Sequence, residues 1–456
     1  MSRVQSARRV AFETIRAVHE SDAYANLLLP KSIDRAGLST ADAGLATELT
    51  YGTLRREGTY DAVIALAADR PVHEIDPTVL DALRLGVHQL LSTRVASHAA
   101  VNESVELARG AAGRGAAGFT NAVLRRVSRD TPGDWMMRVA DSARSDDERL
   151  GLLFSHPVWV VRALRRALAA EGRAAELEAL LTADNVSPHV TMTALPGLAE
   201  VPDDARRTPY SPYGFRLPGG DPEGMIRAAE GRIRVQDEGS QLAALALTHA
   251  SPIAPGERWL DLCAGPGGKT ALLAAEALAH GARLEANEIA PARAGLVRQA
   301  VAGVPLEVPV SEQDGRVRAA DTPDTYDRIL VDAPCTGLGA LRRRPEARWR
   351  KAPSDVPDLS ELQRGLLSAA IGALAPGGVV AYVTCSPHLA ETAGVVGEVR
   401  REWGDAVEEI SARDAVTAAS VGDPGLLPQA DGSLRAQLWP HRHNTDAMSI
   451  SLLRRV

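Results

Sequence analysis

The chain has 456 residues, 45% of them hydrophobic and 24% charged, which is enough for two or three packed domains. Its formal net charge of −7 excludes a generally basic nucleic-acid coat protein, so any nucleic acid must be bound through local positive charge. No apolar stretch reaches the roughly 20 residues that span a bilayer and no signal peptide is recognisable, so we expect a cytoplasmic protein without a membrane partner.

The first 135 residues are predicted to form an all-helical domain, since they show helical periodicity and no convincing strand. Ser39 precedes one candidate helix, and Asp76 followed by Pro77 has the pattern of a helix start. Residues 101–108 and 119–127 supply two further helices. A buried helix face is indicated by Leu80, Leu83, Val87, Leu90 and Leu91.

A domain boundary is expected near the turn Thr131-Pro132-Gly133-Asp134. Residues 140–235 then mix a helix at 158–168, an alternating strand at 189–194 and a loop rich in Pro, Gly and Tyr at 209–220. This segment is therefore predicted to be a small α+β connecting domain.

From about residue 240, strands and helices alternate, which predicts a parallel sheet with helices on both faces. In such sheets ligands bind at the carboxyl ends of the strands. The candidate strands are residues 259–263, 283–288, a weaker one at 306–310, 328–332 and 379–384.

A glycine-rich turn, Leu262-Cys263-Ala264-Gly265-Pro266-Gly267-Gly268-Lys269, follows the first of these strands. Glycine allows close approach of a ligand, and the following helix start offers free N–H groups, although a tight turn without a ligand would look the same. Glu288 ends the next strand, where an acidic residue accepts hydrogen bonds from ribose, and Asp314 follows the third, where it could meet an adenine amine. Together they predict a nucleoside pocket.

All three cysteines, Cys263, Cys335 and Cys385, directly follow strands on this ligand side of the sheet. Their odd number argues against a disulfide framework, and packing alone is a poor explanation for three such positions. No C-x-x-C or H-x-x-x-H spacing accompanies them, so we expect no metal.

Two cysteines and an aspartate at the strand ends are the groups that covalent attack on a cytosine ring would use. A thiolate adding at C6 makes C5 nucleophilic toward the methyl group of a sulfonium, which divides one hard step into easier ones. The thiol needs a pKa below its usual ~8.5, and a carboxylic acid such as Asp332 would offset the charge on the ring. A second thiol could assist loss of the C5 proton and release of the enzyme.

The motifs DLCAGPGGKT, DAPCTGLGALRRRPEARW and VTCSPH resemble those of the RNA 5-methylcytosine methyltransferases. The resemblance implies a Rossmann-like methyltransferase domain at residues 240–456 with a mostly parallel, seven-stranded sheet. It implies that Cys385 is the nucleophile and that Cys335 helps to release the product, and having both favours an RNA over a DNA substrate. The implied S-adenosylmethionine site comprises Cys263, Ala264, Gly265, Pro266, Gly267, Gly268, Lys269, Glu288, Asp314 and Asp332, with Arg293 as support.

The segments ARRVAFETI, ELTYGTLRREGTYD and GFTNAVLRRV resemble the helical RNA-binding domain of the NusB type. A NusB-like domain at residues 1–135 joined to this methyltransferase is similar to the bacterial 16S rRNA cytosine-C5 methyltransferases of the RsmB (Sun/Fmu) type. The chain departs from relatives at Glu391-Thr392-Ala393, where many carry Glu-Asn-Glu, and at Met448-Ser449-Ile450-Ser451, where many have paired Phe.

A basic run follows the Pro-Cys motif and is predicted to position RNA through its phosphates, although a solvated surface is the plain alternative. The target base would have to leave its stack, and Trp349 could stack on RNA or simply pack. The predicted RNA contacts are Arg342, Arg343, Arg344, Arg348 and Lys351.

Two other functions stay open at this level, and a third is disfavoured. The substrate could be tRNA rather than 16S rRNA, or the chain could be a catalytically silent RNA-binding assembly or transcription factor. A dehydrogenase is disfavoured because the loop reads G-P-G-G-K rather than G-x-G-x-x-G. Nothing in the sequence demands more than a monomer.

Overall fold

The computed structural model describes residues 5–21, 23–217 and 222–456 and divides into two compact units. We call them the helical unit and the sheet unit. The helical unit comprises the chain up to Arg162 together with Leu181–Ser187 and Leu341–Arg350. The sheet unit comprises Ala163–Leu180, Pro188–Ala340 and Lys351–Val456.

The helical unit contains eight long helices and no strand among its described residues, which confirms the all-helical prediction. Nor does any helix among the described residues have the length and apolar character needed to cross a membrane. The helices are α1 (Ser6–Glu20), α2 (Ala25–Ala36), α3 (Thr40–Arg55), α4 (Glu57–Ala68), α5 (Pro77–Ser92), α6 (Ser97–Val127), α7 (Pro132–Asp141) and α8 (Asp146–Phe154).

Local side-chain caps explain where these helices begin. The Ser39 hydroxyl accepts the Asp42 amide, and the Asp76 carboxylate accepts the amides of the first turn of α5, as their sequence positions predicted. The two helices predicted at 101–108 and 119–127 are the two halves of α6, which is interrupted at Gly113 with φ +85°. Glycine tolerates this left-handed backbone without a Cβ clash.

The predicted boundary near residue 135 does not coincide with the edge of the helical unit. Thr131 and Asp134 form a capping box that starts α7 instead of a linker between domains. Trp135 and Val139 of α7 then pack into the same core as α4 and α5, because their side chains are apolar and face that cluster. The helical unit therefore continues to Arg162.

The connecting region holds two helices, α9 (Val158–Ala169) and α10 (Leu177–Ala183), before a small antiparallel sheet. The strands are β1 (Thr191–Ala194), β2 (Arg206–Arg207), β3 (Gly214–Arg216) and β4 (Ile233–Val235), in the order β2-β3-β1-β4, with α11 (Pro222–Ala228) before β4. The prediction of a loop at 209–220 is wrong in part, because Phe215 lies in β3, is buried and pairs with Met192 of β1. Residues 218–220 of that prediction lie outside the described residues.

The large sheet is mostly parallel, as predicted, with the order β10-β12-β9-β8-β5-β6-β7 and a short β11 paired to β12. Its parallel strands are β5 (Arg258–Asp261), β6 (Arg283–Asn287), β7 (Val310–Ser311), β8 (Tyr326–Asp332) and β9 (Leu374–Thr384). Its antiparallel strands are β10 (Val407–Ile410), β11 (Ala436–Gln437) and β12 (Ser449–Arg455). Of the weak strand predicted at 306–310, only Val310 lies in a strand, the two-residue β7.

Helices cover both faces of this sheet. Along β8, Ile329 and Val331 enter one apolar cluster and Leu330 enters the other, so the strand is buried on both sides. The helices after β4 are α12 (Glu238–Thr248), α13 (Gly268–His280), α14 (Pro291–Val301), α15 (Gly315–Ala320), α16 (Ala347–Arg350, in the helical unit), α17 (Asp355–Ala373), α18 (Val395–Trp403), α19 (Ala412–Ala419) and α20 (Pro440–His443).

Candidate active site

The glycine-rich loop connects β5 to α13 at the carboxyl edge of the sheet. Its backbone is fixed by amides that donate to neighbouring strand ends, Leu262 to the Leu330 carbonyl and Ala264 to the Asn287 carbonyl, each over 2.9 Å. Gly267 has φ +103°, and a Cβ there would lie 2.4 Å from the Cβ of Ala300. Position 267 therefore has no room for a side chain and requires glycine.

Glu288 and Arg293, both predicted for the cofactor site, lie against this loop. The Glu288 carboxylate is buried and accepts the Gly265 amide and the Ala290 amide, both over 3.0 Å. Arg293 donates to the Gly265 carbonyl and pairs with Glu288 at 3.5 Å. A Cβ on Gly265 would come within 2.2 Å of a Glu288 oxygen, so only glycine allows this close approach.

Asp314 lies at the neighbouring strand end, where it caps α15. Its carboxylate accepts the Arg316 amide at 2.9 Å and pairs with the Arg316 guanidinium at 2.6 Å. The hydrogen bond from Arg316 lowers the pKa of Asp314, so this side chain is an acceptor at neutral pH. Asn287, which sequence reasoning missed, donates to the Leu262 carbonyl at 3.1 Å and thereby holds the loop after β5.

A partly buried ion pair joins the glycine-rich loop to β8. The Lys269 ammonium donates to Asp332 over 2.8 Å, and the Asp332 side chain keeps 26% of its surface exposed. Burial opposes a charged Lys269, but the adjacent Asp332 carboxylate outweighs it and raises the pKa of the amine. Asp261 is also buried, accepts the Thr270 hydroxyl at 2.7 Å, and has a pKa raised to about 7, mainly by its burial.

Cys335 and Cys385 lie side by side, with their sulfur atoms 3.4 Å apart. A hydrogen bond from Cys335 lowers the pKa of Cys385, with help from the Lys269 ammonium and against burial and nearby carboxylates. The same hydrogen bond, burial and the charge of Glu391 raise the pKa of Cys335 well above its usual range. This hydrogen bond and the surrounding charges therefore favour ionisation of Cys385 over ionisation of Cys335.

Cys263, the third cysteine, has a different environment. Burial, followed by the nearby Asp261 and Asp332 carboxylates, raises the pKa of its thiol far above the usual range. It is therefore a neutral group of the loop. Among residues 5–21, 23–217 and 222–456, no cluster of three or more His, Cys, Asp or Glu side chains could hold a metal ion.

The basic run does not form one exposed surface. Arg348 has no exposed area and donates within the helical unit to the carbonyls of Arg55 and Ser155 and to Asn185 Oδ1, over 2.8 to 3.2 Å. Arg342 is also buried, at 3% exposure. The prediction that these two arginines contact RNA is therefore wrong for this structure, because buried guanidinium groups cannot reach phosphates.

The rest of the run is more accessible. Arg343 and Arg344 are exposed and Lys351 is half-buried. Within the helical unit, the guanidinium carbons of Arg344 and Arg350 lie 5.7 and 4.8 Å from the ring centre of Tyr24, which is 48% exposed. Trp349 is 39% exposed and packs against Gly58.

The fold, with this site at its strand ends, places the chain among the Rossmann-like methyltransferases. Residues 250–454 match the family described as 16S rRNA methyltransferase RsmB/F, and residues 5–129 match the NusB family. A crystal structure of PH0851 is similar over 99% of both chains, with a TM-score of 0.79 at 22% identity, and so shares the fold.

Full-length relatives agree with these matches. A Mycobacterium tuberculosis protein named as a candidate methyltransferase is 48% identical over 99% of this chain and 96% of its own length. Ribosomal RNA small subunit methyltransferase B of Pseudomonas putida is 34% identical over 85% of this chain and 87% of its own length. The chain belongs to the RsmB/F family of methyltransferases and carries a NusB-family domain. As such a methyltransferase, it takes its methyl group from S-adenosylmethionine.

Proposed function

We propose that this enzyme methylates C5 of a cytosine in RNA, with Cys385 as the nucleophile and 16S rRNA as the substrate. The observation that carries the proposal is the pair of cysteines after β8 and β9, whose sulfur atoms lie 3.4 Å apart, with the pKa of Cys385 lowered and that of Cys335 raised by the hydrogen bond between them. A methyltransferase acting on a nitrogen or oxygen atom has no need of such a nucleophile, whereas C5 of cytosine does.

The first step is addition to the ring. The thiolate of Cys385 forms a bond to C6, and the electrons of the C5–C6 double bond move into the ring, where the ammonium of Lys269, held by Asp332, offsets the negative charge. Bound S-adenosylmethionine supplies the electrophilic methyl group of a sulfonium centre to C5.

Release needs a base for the C5 proton. Once Cys385 is bonded to carbon, its hydrogen bond and charge no longer raise the pKa of Cys335. In the proposed step Cys335 then loses its own proton to solvent and accepts the one from C5. The electron pair of the C5–H bond then re-forms the C5–C6 double bond and breaks the S–C6 bond. Cys385 returns as a thiolate, and the net change is the replacement of one proton by a methyl group.

The residues around the loop fit the cofactor. Within the described part of the chain, Asp261 Oδ1 and Gln236 Oε1 are buried acceptors without a hydrogen-bond donor, and the Gln236 side chain lies within 4 Å of where a Cβ on Gly268 would be. The α-ammonium of a methionine moiety would supply the missing donors. Glu288 would hold the ribose hydroxyls and Asp314 the adenine amine, with Arg293 keeping Glu288 in place.

The helical unit supports RNA as the substrate. Arg344, with Tyr24 beneath it and Trp349 on the same unit, combines a cation for phosphates with aromatic faces for stacked bases. Arg343 of the same unit and Lys351 of the sheet unit are the other two candidates of the basic run. The choice of 16S rRNA rests on the name of the Pseudomonas putida relative and on the matched family.

Transfer of labelled methyl from S-adenosylmethionine to naked 16S rRNA, 23S rRNA and bulk tRNA, followed by nucleoside analysis, tests the proposal. We expect label in 5-methylcytosine from 16S rRNA alone. Label in 5-methylcytosine from tRNA would support the proposed reaction but show that the substrate is tRNA and not 16S rRNA. If free RNAs and assembled small subunits all stay unlabelled, the chain is a silent RNA-binding protein and the proposed function is wrong.

A further inference from the structure

The small antiparallel sheet carries a row of polar side chains across its four strands. Arg206 of β2 lies directly opposite Arg216 of β3, and Arg216 lies directly opposite Thr191 of β1. Gln236 follows β4 and continues its pairing with β1, since its backbone amide donates to the Thr191 carbonyl over 3.0 Å. Because directly opposite residues share a face of a sheet, these four side chains form one row, which we call the arginine row.

The arginine row lies on the face away from the apolar core of the small sheet. Successive residues of a strand point to opposite faces, and the neighbours Met192 and Phe215 have no exposed area and belong to that core. On the polar face, Arg206 is exposed and Arg216 is half-buried. The two guanidinium groups are therefore accessible to a ligand.

The two arginines are a like-charge pair without a counter-charge. Like charges directly opposite each other destabilise a sheet. Within the described part of the chain, neither guanidinium group of Arg206 and Arg216 has a hydrogen bond or an ion pair, even though Asp203 and Asp204 lie just before β2. The positive charge of the pair is thus left for a negatively charged ligand.

The arginine row leads to the glycine-rich loop of the candidate active site. At its one end, the Gln236 side chain lies within 4 Å of where a Cβ on Gly268 would be. Neighbouring strands are about 4.8 Å apart, so Arg216, two strands from β4, lies roughly 10 Å from that end, and Arg206 lies one strand further. A helical nucleic-acid strand carries one negative charge per ~3.4 Å, so a few nucleotides span this distance.

We propose that the arginine row is an RNA-contact surface, on which Arg206 and Arg216 hold phosphates of the substrate strand close to the target cytosine. Phosphate oxygens supply the acceptors that both guanidinium groups lack, and the planar fork of arginine suits them. Such contacts fix the position of the strand without reading its sequence. The identity of the ligand as RNA rests on the proposed function.

Filter binding of naked 16S rRNA to the full-length protein at several salt concentrations tests the proposal. In the double variant Arg206→Gln and Arg216→Gln, we expect the Kd to rise by about tenfold or more. The salt dependence of binding should fall by about one phosphate contact for each arginine removed. Binding of S-adenosylmethionine, measured by equilibrium dialysis, should stay at the native value.

Arg207→Gln is the matched control for the single variant Arg206→Gln. Arg207 is exposed on the same strand and carries the same charge, but it pairs with Phe215 and donates to the Pro212 carbonyl over 3.2 Å. We expect its RNA affinity and salt dependence to stay close to those of the native protein. Native values in the double variant, or an equal loss of affinity in Arg206→Gln and Arg207→Gln, would overturn the proposal.

Two further measurements separate RNA binding from a structural role. Charge on an edge strand can serve only to block pairing with another chain, so self-association of the double variant with unchanged RNA affinity would assign that role instead. Removing one of two opposed like charges should leave the midpoint of urea unfolding unchanged or raise it. If the double variant is less stable than the native protein, the comparison of Arg206→Gln with Arg207→Gln decides.

RNA binding and methyl transfer can fail separately. A protein that loses RNA affinity in the double variant but methylates no cytosine in its native form would keep the arginine row and reject the proposed function. A protein that methylates cytosine with a native KM for RNA in the double variant would do the reverse.

Discussion

The sulfur atoms of Cys335 and Cys385 lie 3.4 Å apart, and the hydrogen bond between them shifts the pKa values of the two thiols in opposite directions. At the residue scale this separates the roles of the cysteines. Cys385 has the Lys269 ammonium in its surroundings, and Cys335 has the Glu391 carboxylate. In the proposed mechanism Cys385 attacks as a thiolate and Cys335 acts only after the attack, so the two cysteines should not be interchangeable.

We expect Cys385→Ala to lower methyl transfer by at least about a thousandfold, because the nucleophile is lost, while S-adenosylmethionine still binds. Cys335→Ala should instead accumulate a covalent protein–RNA adduct, since the base for the C5 proton is missing after attack. Denaturing gel electrophoresis with labelled RNA detects the adduct, and equilibrium dialysis measures cofactor binding. An adduct in Cys385→Ala but not in Cys335→Ala would reverse the assignment.

Gly265 gives a test of the cofactor loop. Gly265→Ala would place a Cβ 2.2 Å from a Glu288 oxygen, so the loop and the carboxylate cannot both keep their places. We expect affinity for S-adenosylmethionine to fall by roughly tenfold or more, measured by isothermal titration calorimetry, which corresponds to about 1.4 kcal/mol. Gly295→Ala in α14 is the control, because a Cβ there meets open space and should leave the affinity unchanged.

At the element scale, α1, α4 and α5 are joined by a buried network of charges. His19 contacts Asp81 at 2.8 Å and Glu57 at 3.2 Å, and Arg84 pairs with Glu57, Asp61 and Asp81 over 2.7 to 3.2 Å. Burial disfavours a charged His19, but its bonds to Asp81 and Glu57 outweigh burial and raise its pKa from 6.5 to about 9. Folding of these helices is therefore coupled to protonation of His19.

The sign of this coupling follows from the direction of the shift. A raised pKa in the folded state means that the full stabilisation, on the order of 3 kcal/mol, is present below pH 6.5 and is lost as the pH rises through about 9. Urea unfolding followed by circular dichroism should show that His19→Gln costs more at pH 6 than at pH 9.5. The exposed His98 serves as the control, since His98→Gln should show no such trend; equal costs at both pH values for His19→Gln would contradict the coupling.

At the scale of the whole molecule, Leu341–Arg350 interrupts the sheet unit in sequence and belongs to the helical unit. Arg348 holds the segment there through three carbonyl or amide oxygens, and Arg350 donates to the carbonyls of Val18 and Ala23. In sequence, residues 342–351 look like one basic surface. In the structure, some of these side chains are buried and hold the segment in place, whereas others are exposed.

Two substitutions separate these functions. Arg348→Ala leaves buried acceptors without their donor and should lower the free energy of unfolding by about 3 kcal/mol, measured by urea denaturation. Arg344→Ala should leave stability nearly unchanged and weaken RNA binding, with a salt dependence reduced by about one phosphate contact. Filter binding of RNA at several salt concentrations checks the second effect, and a stable Arg348→Ala protein would refute the anchoring role.

Much of the fold was predictable because its signals are local. Ser39 and Asp76 cap helices within three residues of themselves, and the apolar stretches around Leu260 and Ile329 read as buried strands without reference to the rest of the chain. The predicted loop and strand-end residues of the site do lie at one edge of the sheet, because parallel strands bring their carboxyl ends together.

The sequence by itself determined the succession of elements, the glycine-rich turn and the position of each cysteine after a strand, since these depend on neighbours a few residues apart. Only the tertiary structure decided that Arg348 is buried, that β3 pairs with β1, and that Glu391 reaches Thr336, 55 residues away in the chain. Such contacts depend on which distant groups meet after folding. For the same reason, the charges that distinguish Cys385 from Cys335 cannot be found in either motif alone.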